Sequence, residues 1–319
     1  MIVDPERSYD LIGDVHGCAH TLVRLLDLLG YRQHGGVWRH PRRQVIFLGD
    51  IIDRGPRIRE ALHLVHDMVD AGQAHCIMGN HEFNALGWFT PAPPDSGRTF
   101  VRDHTPRYAK LLEQTFEQFE HYPDEWRAFR EWFLQLPLYL ESERFRVVHA
   151  CWDNRVIDQL RERLQDGRLD PAFLAEAAYP DRFAAKALDR LLRGTDMPLP
   201  AGVTLTSAEG FTRSFFRTKF WEENPQTYGD VVFQPDGLPE QAARLPLSDS
   251  QKSRLFLYGP DDPLLFVGHY WRSGTPAPIR PNLACLDYSA VMYGKLVAYR
   301  LDREPLLDPA KFVWVEVEQ

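Results

Sequence analysis

The stretch VIFLGDIIDRG (45–55) joins an apolar run to two aspartates and an arginine. Its first residues predict a buried strand, and the polar residues then fall in the loop where that strand ends. Four further strings follow the apolar runs YDLI, HCIM, FRVV and LLFV or end them, namely GDVHG (13–17), GNHE (79–82), VVHA (147–150) and GHY (268–270). We expect the strand ends to bring these side chains to one common point, since ligands bind beside the carboxyl ends of strands in layered α/β sheets.

Carboxylates, an amide and imidazoles at these strand ends are the groups that bind divalent metal ions in proteins. Asp14 and His16 alternate along an extended segment, so both side chains can face one ion. Asp50, at the end of the second strand, is the predicted bridge to a second ion. The remaining predicted ligands of that second ion are Asn80, His149 and His269. Two metal ions clamp an in-line displacement at phosphorus, so the pattern predicts phosphoester hydrolysis with a metal-bridging water as nucleophile.

The composition is that of an ordinary soluble globular protein. The 319 residues are 44% hydrophobic and 26% charged, and the net charge of −8 gives no basic surface for duplex nucleic acid. The four scattered cysteines form no CxxC pair and are predicted to stay reduced. They are Cys18, Cys76, Cys151 and Cys285. The sequence shows no signal core and no apolar run of membrane-spanning length, so we expect a cytoplasmic protein without a membrane partner.

Strand and helix patterns alternate over the first 83 residues, which is typical of βαβ units in an α/β core. Two insertions, 84–140 and 155–260, interrupt this core within a single predicted domain, 1–319. Helices are predicted at 153–165 and 171–193. Four late strands without intervening helices predict an antiparallel part of the sheet, and they lie at 264–270, 282–289, 295–302 and 311–317.

The full GDIIDRG string and GNHE resemble the motifs of the metallophosphoesterase superfamily, and most of all its phosphoprotein-phosphatase branch. That branch holds bacterial Ser/Thr phosphatase-like proteins and symmetrical dinucleoside tetraphosphatases. The resemblance covers the motif strands, under half of the chain, and matches neither insertion. It implies a four-layer α/β/β/α sandwich of two mixed sheets with helical insertions, and it implies the same six metal ligands.

The resemblance also implies roles for residues beside the ligands. His81 would protonate the leaving-group oxygen, with Asp53 as its orienting partner. Arg54 and Asn80 would contact the substrate. A second phosphate-binding arginine is expected, and the candidates are Arg213, Arg217 and Arg272. The implied cofactors are two divalent metal ions, with manganese favoured and iron, zinc, nickel or cobalt as alternatives.

Trp271 departs from a pattern common in the superfamily. Many members end in GHxH, and the last histidine binds the first metal ion, whereas Trp271 stands at that position here. The first ion would then keep three protein ligands, which is normal in the phosphoprotein-phosphatase branch and weakens an interpretation as a nuclease or cyclic-nucleotide diesterase. As a strand neighbour of His269, Trp271 is also a candidate to stack a nucleobase. The aromatic residues of 107–133 are predicted to form the core of the first insertion.

Three functions remain open at this point. The leading prediction is hydrolysis of phosphate monoesters, with a phosphorylated small molecule, a nucleotide or a phosphoprotein as substrate. The first alternative is a symmetrical dinucleoside tetraphosphate hydrolase. The second is a regulatory binding module that keeps the fold without catalysis, although the complete ligand set and the His81–Asp53 pair argue against it. We expect the insertions to narrow the entrance and favour small substrates over folded phosphoproteins.

Overall fold

The computed structural model describes residues 3–206, 212–233, 238–292 and 294–318. The chain divides into two compact units. The larger combines Met1–Leu192 with Pro263–Gln319, and the smaller is Arg193–Asp262. The smaller unit begins well inside the second predicted insertion, so the first part of that insertion belongs to the larger unit.

The elements are numbered in chain order. The strands are β1 (Ser8–Ile12), β2 (Arg32–His34), β3 (Val37–Arg39), β4 (Arg43–Phe47), β5 (Ala74–Cys76), β6 (Tyr139–Glu141), β7 (Phe145–Val148), β8 (Thr195–Pro198), β9 (Leu205–Thr206), β10 (Thr212–Arg213), β11 (Phe215–Thr218), β12 (Leu264–Val267), β13 (Leu283–Cys285), β14 (Asp287–Tyr288), β15 (Lys295–Leu301) and β16 (Phe312–Glu316). The helices are α1 (Ala19–Leu28), α2 (Ile58–Asp70), α3 (Asn80–Phe89), α4 (Pro106–Phe119), α5 (Pro123–Phe133), α6 (Asn154–Arg163), α7 (Pro171–Glu176), α8 (Phe183–Arg193), α9 (Tyr228–Val231), α10 (Glu240–Ala243) and α11 (Asp249–Lys252). No helix in the described part of the chain is both long enough and apolar enough to cross a membrane.

The first sheet has the strand order β14-β15-β1-β4-β5, and β16 also pairs with β15. Strands β1, β4 and β5 are parallel, whereas β15 runs antiparallel to β1. Ile12 is in register with Phe47, and Phe47 is in register with Cys76. Because these three strands end level with one another, the loops carrying the first three motif strings leave the same edge of the sheet.

The second sheet has the order β13-β12-β7-β6, with β7, β12 and β13 parallel and β6 antiparallel. Phe266 is in register with Val147, so the last two motif strings also leave a common edge. Both sheets are therefore mixed, which confirms the predicted α/β fold class.

The prediction that the late strands are antiparallel was wrong for two of them. Strands β12 and β13 are parallel, while β14, β15 and β16 pair in antiparallel fashion. The connection 268–282 explains the difference. A parallel pair needs a crossover of about a dozen or more residues, and this loop supplies one without forming a helix.

The two sheets enclose one apolar core. Tyr9, Leu11 and Ile46 of the first sheet pack in the same cluster as Phe145 and Phe266 of the second. Full burial of such a side chain contributes roughly 1.5–3 kcal/mol. Outside this core, α1 contacts β15 and β16, and α2 contacts β5. The core thus holds the two rows of motif loops in place.

Helices account for most of the first insertion, as predicted. Thr105 caps α4 by accepting the Tyr108 N–H at 3.3 Å, and Pro106 opens the helix at a position where its missing N–H is not needed. The helix predicted at 171–193 is instead two helices, α7 and α8, separated by residues 177–182. Pro180 lies in this break. It has no N–H donor for a helical hydrogen bond and disfavours a helical conformation at the residue before it, so it separates the two helices.

The smaller unit has a core of its own. Strand β8 pairs with β11 and β9 with β10, in both cases antiparallel. Phe216, Tyr228, Val231 and Leu247 form its apolar cluster. Arg213 and Arg217 lie on β10 and β11 of this unit.

Candidate active site

The Asp50 carboxylate lies among three imidazole rings. Its Oδ2 atom is 3.7 Å from Nε2 of His16, 3.8 Å from Nε2 of His81 and 3.3 Å from Nε2 of His149. All four side chains are buried. The structure therefore brings together residues from four separate motif strings, as the sequence predicted.

Two of these rings have an orientation fixed by main-chain carbonyl groups. Nδ1–H of His16 donates to the Ile52 carbonyl oxygen at 2.8 Å, and Nδ1–H of His149 donates to that of Leu48 at 2.7 Å. A carbonyl oxygen can only accept, so the proton must sit on Nδ1. The Nε2 atoms then point at Asp50, which is the arrangement found in metal-binding histidines.

Asn80 and His269 complete the opposite side of the cage. One terminal atom of the Asn80 amide is 3.1 Å from Nε2 of His149 and 2.6 Å from Nδ1 of His269. The main-chain N–H of His269 lies 3.2 Å from Oδ2 of Asp14. Two groups of potential metal ligands result, each with ligand atoms within 4.8 Å of one another: His16, Asp50 and His81 in one, and Asp50, His149 and His269 in the other. Asp50 belongs to both groups, as expected of a bridge.

Several of these residues have a left-handed backbone conformation that is rare for residues other than glycine. The φ angles are 44° at His16, 51° at Asp50, 68° at Asp53, 69° at Arg54 and 57° at His269. Conformations of this kind cost on the order of 1–3 kcal/mol each and persist only when the surrounding structure holds them. Their concentration at the motif loops marks this edge of the sheets as the functional one.

Two glycines leave room for the carboxylates. A Cβ atom on Gly79 would lie 2.2 Å from Oδ1 of Asp50, and one on Gly268 would lie 2.1 Å from Oδ1 of Asp14. Any side chain at either position would displace the carboxylate. The glycines of GNHE and GHY are thus required by close approach.

Glu82, the last residue of GNHE, organises the main chain around Asp50. Its carboxylate accepts the N–H groups of Asp50 at 2.8 Å, Gly79 at 3.0 Å, Ile51 at 2.8 Å and Ile52 at 3.3 Å. Burial and the nearby Asp50 charge raise the pKa of Glu82 to about 7, while the N–H donors of Ile51 and Asp50 lower it. Sequence reasoning quoted this residue but assigned it no role.

His81 and Asp53 form the predicted pair, and a residue of the first insertion supports it. Nδ1 of His81 is 2.6 Å from Oδ2 of Asp53. The Thr115 hydroxyl donates to Oδ1 of Asp53 and accepts the Asp53 N–H. Nearby, the Gln118 amide donates to the Gly55 carbonyl oxygen at 3.1 Å. Sequence reasoning missed Thr115 and Gln118, whose only signal was their i, i+3 spacing on one face of α4.

The buried acidic residues around Asp50 favour the binding of cations. Burial, and next the neighbouring Asp287, raise the pKa of Asp14 well above its usual value. Burial also raises the pKa of Asp287, a further acidic residue that sequence reasoning missed. Burial lowers the pKa of His149, but the Asp50 charge outweighs it and brings the pKa to about 10. Buried carboxylates in this number need positive charge, and together with inward-facing imidazoles they fit divalent metal ions.

The candidate substrate arginines have different environments. Arg54 is exposed, and its charge contributes to the lowered pKa of His16, after burial and His81. Arg272 lies in the larger unit, whereas Arg213 and Arg217 belong to the smaller one. The choice among these three stays a prediction.

Residues 9–270 match the calcineurin-like phosphoesterase family, and the chain belongs to that family. Membership confirms the predicted metallophosphoesterase superfamily, the fold class and the class of phosphoester hydrolases. It also stands against the non-catalytic binding module.

Curated relatives of this chain carry more specific names than the family does. Over 142 residues the chain is 34% identical to the protein named bis(5'-nucleosyl)-tetraphosphatase PrpE (asymmetrical) of Oceanobacillus iheyensis, covering 44% of this chain and 54% of that protein. The protein of the same name from Geobacillus sp. is 33% identical over 149 residues, covering 44% and 56%. The chain thus spans about half the length of the curated relatives it matches. Their names agree with the tetraphosphatase alternative only in part, because that alternative was the symmetrical type.

One solved structure shares this fold at a TM-score of 0.50, and a second is similar below that level. A protein serine/threonine phosphatase from Saccharomyces cerevisiae with similarity to human phosphatase PP5 has a TM-score of 0.50 and 14% identity, covering 99% of this chain and 81% of that one. A putative diadenosine tetraphosphatase has a TM-score of 0.49 and 16% identity, covering 99% and 96%.

Replacing Thr115 with valine tests the contribution of the first insertion to the site. Valine keeps the shape and removes the hydroxyl, so Asp53 loses its partner and holds His81 less firmly. We expect turnover to fall about tenfold, as for other residues that orient a functional group through a hydrogen bond. The matched Thr115→Ser variant keeps the hydroxyl and should retain most of the activity. If the two variants have equal turnover and equal urea midpoints of unfolding, the Thr115 hydroxyl does not help to orient Asp53 and His81.

Proposed function

We propose that this chain is a phosphatase that hydrolyses phosphate monoesters at a site holding two divalent metal ions, with manganese favoured. The observation that carries the proposal is Asp50, whose carboxylate is shared by two groups of imidazole ligands. One ion would be held by Asp14, His16 and Asp50, and the other by Asp50, Asn80, His149 and His269. When bound, the ions supply an activated water nucleophile and neutralise phosphate charge.

His81 is the proposed general acid. Its Nδ1 is bonded to Asp53, so its Nε2 is the atom that faces the cavity, 3.8 Å from Oδ2 of Asp50. An imidazole held in this way can carry a proton to a leaving-group oxygen near neutral pH. The buried Asp53 carboxylate favours the protonated ring during this step.

Arg54 and Asn80 are the proposed substrate contacts. Arg54 follows Asp53 directly and is exposed, so its guanidinium group can meet an incoming phosphate. A guanidinium group binds two phosphate oxygens at once. Asn80 is placed between His149 and His269 and would contact the phosphate from within the cage.

The second candidate function is hydrolysis of bis(5'-nucleosyl) tetraphosphates, which the names of the curated relatives favour. Asymmetrical cleavage releases a nucleoside triphosphate and a monophosphate, whereas symmetrical cleavage releases two diphosphates. The same metal site and the same acid would serve either substrate, since both reactions displace an oxygen from phosphorus.

A reducing, cytoplasmic location is proposed from the cysteines. All four thiols are free and buried. Burial raises the pKa of Cys18 to about 11, and burial raises that of Cys151 to about 12. They therefore remain uncharged and unreactive at neutral pH.

A substrate panel tests the function directly. The full chain with manganese should hydrolyse nitrophenyl phosphate and a phosphopeptide, and chelation should abolish both activities. With diadenosine tetraphosphate, chromatography of the products distinguishes ATP plus AMP from two ADP. Absence of turnover on every substrate across a panel of manganese, iron, zinc, nickel and cobalt would refute the proposal.

Replacing His81 with alanine separates metal binding from proton transfer. Loss of a proton donor should lower turnover of an alkyl phosphate by about 10²–10⁴-fold. The loss should be much smaller for nitrophenyl phosphate, whose leaving group needs no proton, and metal content should be unchanged. His81 also belongs to one of the two ligand groups. If the variant loses an ion, or if both substrates suffer equally, His81 is a ligand and not the acid.

A further inference from the structure

A cavity lies near the candidate site, because its lining includes Tyr288, and the charge of the adjacent Asp287 acts on Asp14. It has a volume of about 330 Å³ and lies wholly within the larger unit. Its lining includes Trp271, which is two residues beyond His269, and Tyr288, which directly follows Asp287. Ligand pockets begin at about 300 Å³, so this cavity suits a group the size of a nucleobase with part of its sugar.

Hydrogen bonds fix the walls of this cavity. The main-chain N–H of Arg272 donates to the Asp287 carbonyl oxygen at 2.9 Å, which ties the loop after β12 to β14. The Lys295 ammonium of β15 donates to the Gly274 carbonyl oxygen at 2.9 Å. Since these bonds tie the loop after β12 to β14 and β15, the cavity is preformed and costs little ordering on binding.

The lining combines apolar surface with the Arg272 guanidinium group, while Lys295 is paired with Glu316 at 3.4 Å. Trp271 and Met292 are large apolar side chains that are 37% and 77% exposed. The sequence position of Trp271 had suggested a strand residue. In the structure Trp271 lies in the loop after β12. Nε of Arg272 is buried and meets no hydrogen-bond partner among the described residues. An aromatic ring beside a guanidinium group is a surface on which nucleobases and their phosphates bind.

We propose that this cavity binds the nucleoside of a substrate whose phosphate is held at the metal site. The base would stack on Trp271 and contact Met292, and Arg272 would meet a phosphate oxygen. This inference rests on the proposed function and adds a substrate class to it: nucleoside phosphates are preferred over phosphates without a base. Trp271 replaces the histidine of GHxH, so the same substitution that removes a metal ligand supplies the stacking surface.

Adenosine 5'-monophosphate and ribose 5-phosphate test this proposal, because they present the same phosphate on the same sugar carbon and differ by the base. The measured quantity is the ratio of their kcat/KM values in the manganese enzyme. We expect the wild-type ratio to favour the nucleotide by about tenfold, the low range of base stacking on an aromatic side chain. Trp271→Ala should bring the ratio close to one, and Trp271→Phe should keep most of it.

The control is Tyr122→Ala, which removes another exposed aromatic ring of the larger unit, 44% exposed and placed before α5. It should leave the ratio and the activity unchanged. If the wild type turns over both substrates equally, or Trp271→Ala keeps the preference, the cavity is not a nucleoside site although the phosphatase stands. A preference for a phosphotyrosine peptide that Trp271→Ala abolishes would assign the cavity to peptides instead.

Binding gives a second readout that does not depend on turnover. Calorimetric titration of the chain with adenosine should show saturable binding that is weakened about tenfold in Trp271→Ala. If no phosphate is hydrolysed, the proposed function fails, and this titration alone then decides the nucleoside site. No heat of binding in the wild type would overturn it.

Discussion

Contact between the Asp50 carboxylate and three imidazoles determines the form of the rest of the site. One oxygen faces Nε2 of His16, His81 and His149, and the other accepts the His81 N–H at 2.9 Å. Glu82, near the start of α3, holds the main chain at Asp50 and at the two residues that follow it. A buried anion in this position is stable only with cations around it, which is why imidazoles, and by our proposal metal ions, surround it.

The strand register of the two sheets brings the side chains of that contact together. Level strand ends in the first sheet place Asp50 beside His16 and His81, and level ends in the second place His149 beside His269. Left-handed backbone at five of these positions is maintained by the loops' shared hydrogen bonds, such as the Glu82 clamp. The first insertion then adds Thr115 under Asp53, so a segment without any motif helps to orient the proposed general acid.

The sequence predicted the elements that follow from local pattern. Each motif string was recognisable because polar residues follow a short apolar run, and this placed Asp50 and the histidines correctly at strand ends. Thr115 and Asp287 could not be predicted, because only tertiary packing brings them to the site. The parallel direction of β12 and β13 could not be predicted either, since it depends on the path of the connecting loop and not on the strand sequences. The prediction of one helix over 171–193 was wrong at Pro180. This proline was visible in the sequence, but the helical pattern around it was given more weight.

Anomalous scattering from a crystal of the manganese-loaded chain tests most directly whether two ions share Asp50. We expect two peaks on either side of the Asp50 carboxylate, roughly 3.5–4 Å apart. One peak should adjoin Asp14 and His16, and the other should adjoin His149 and His269. A single peak under saturating manganese, or two peaks that do not share Asp50, would contradict it.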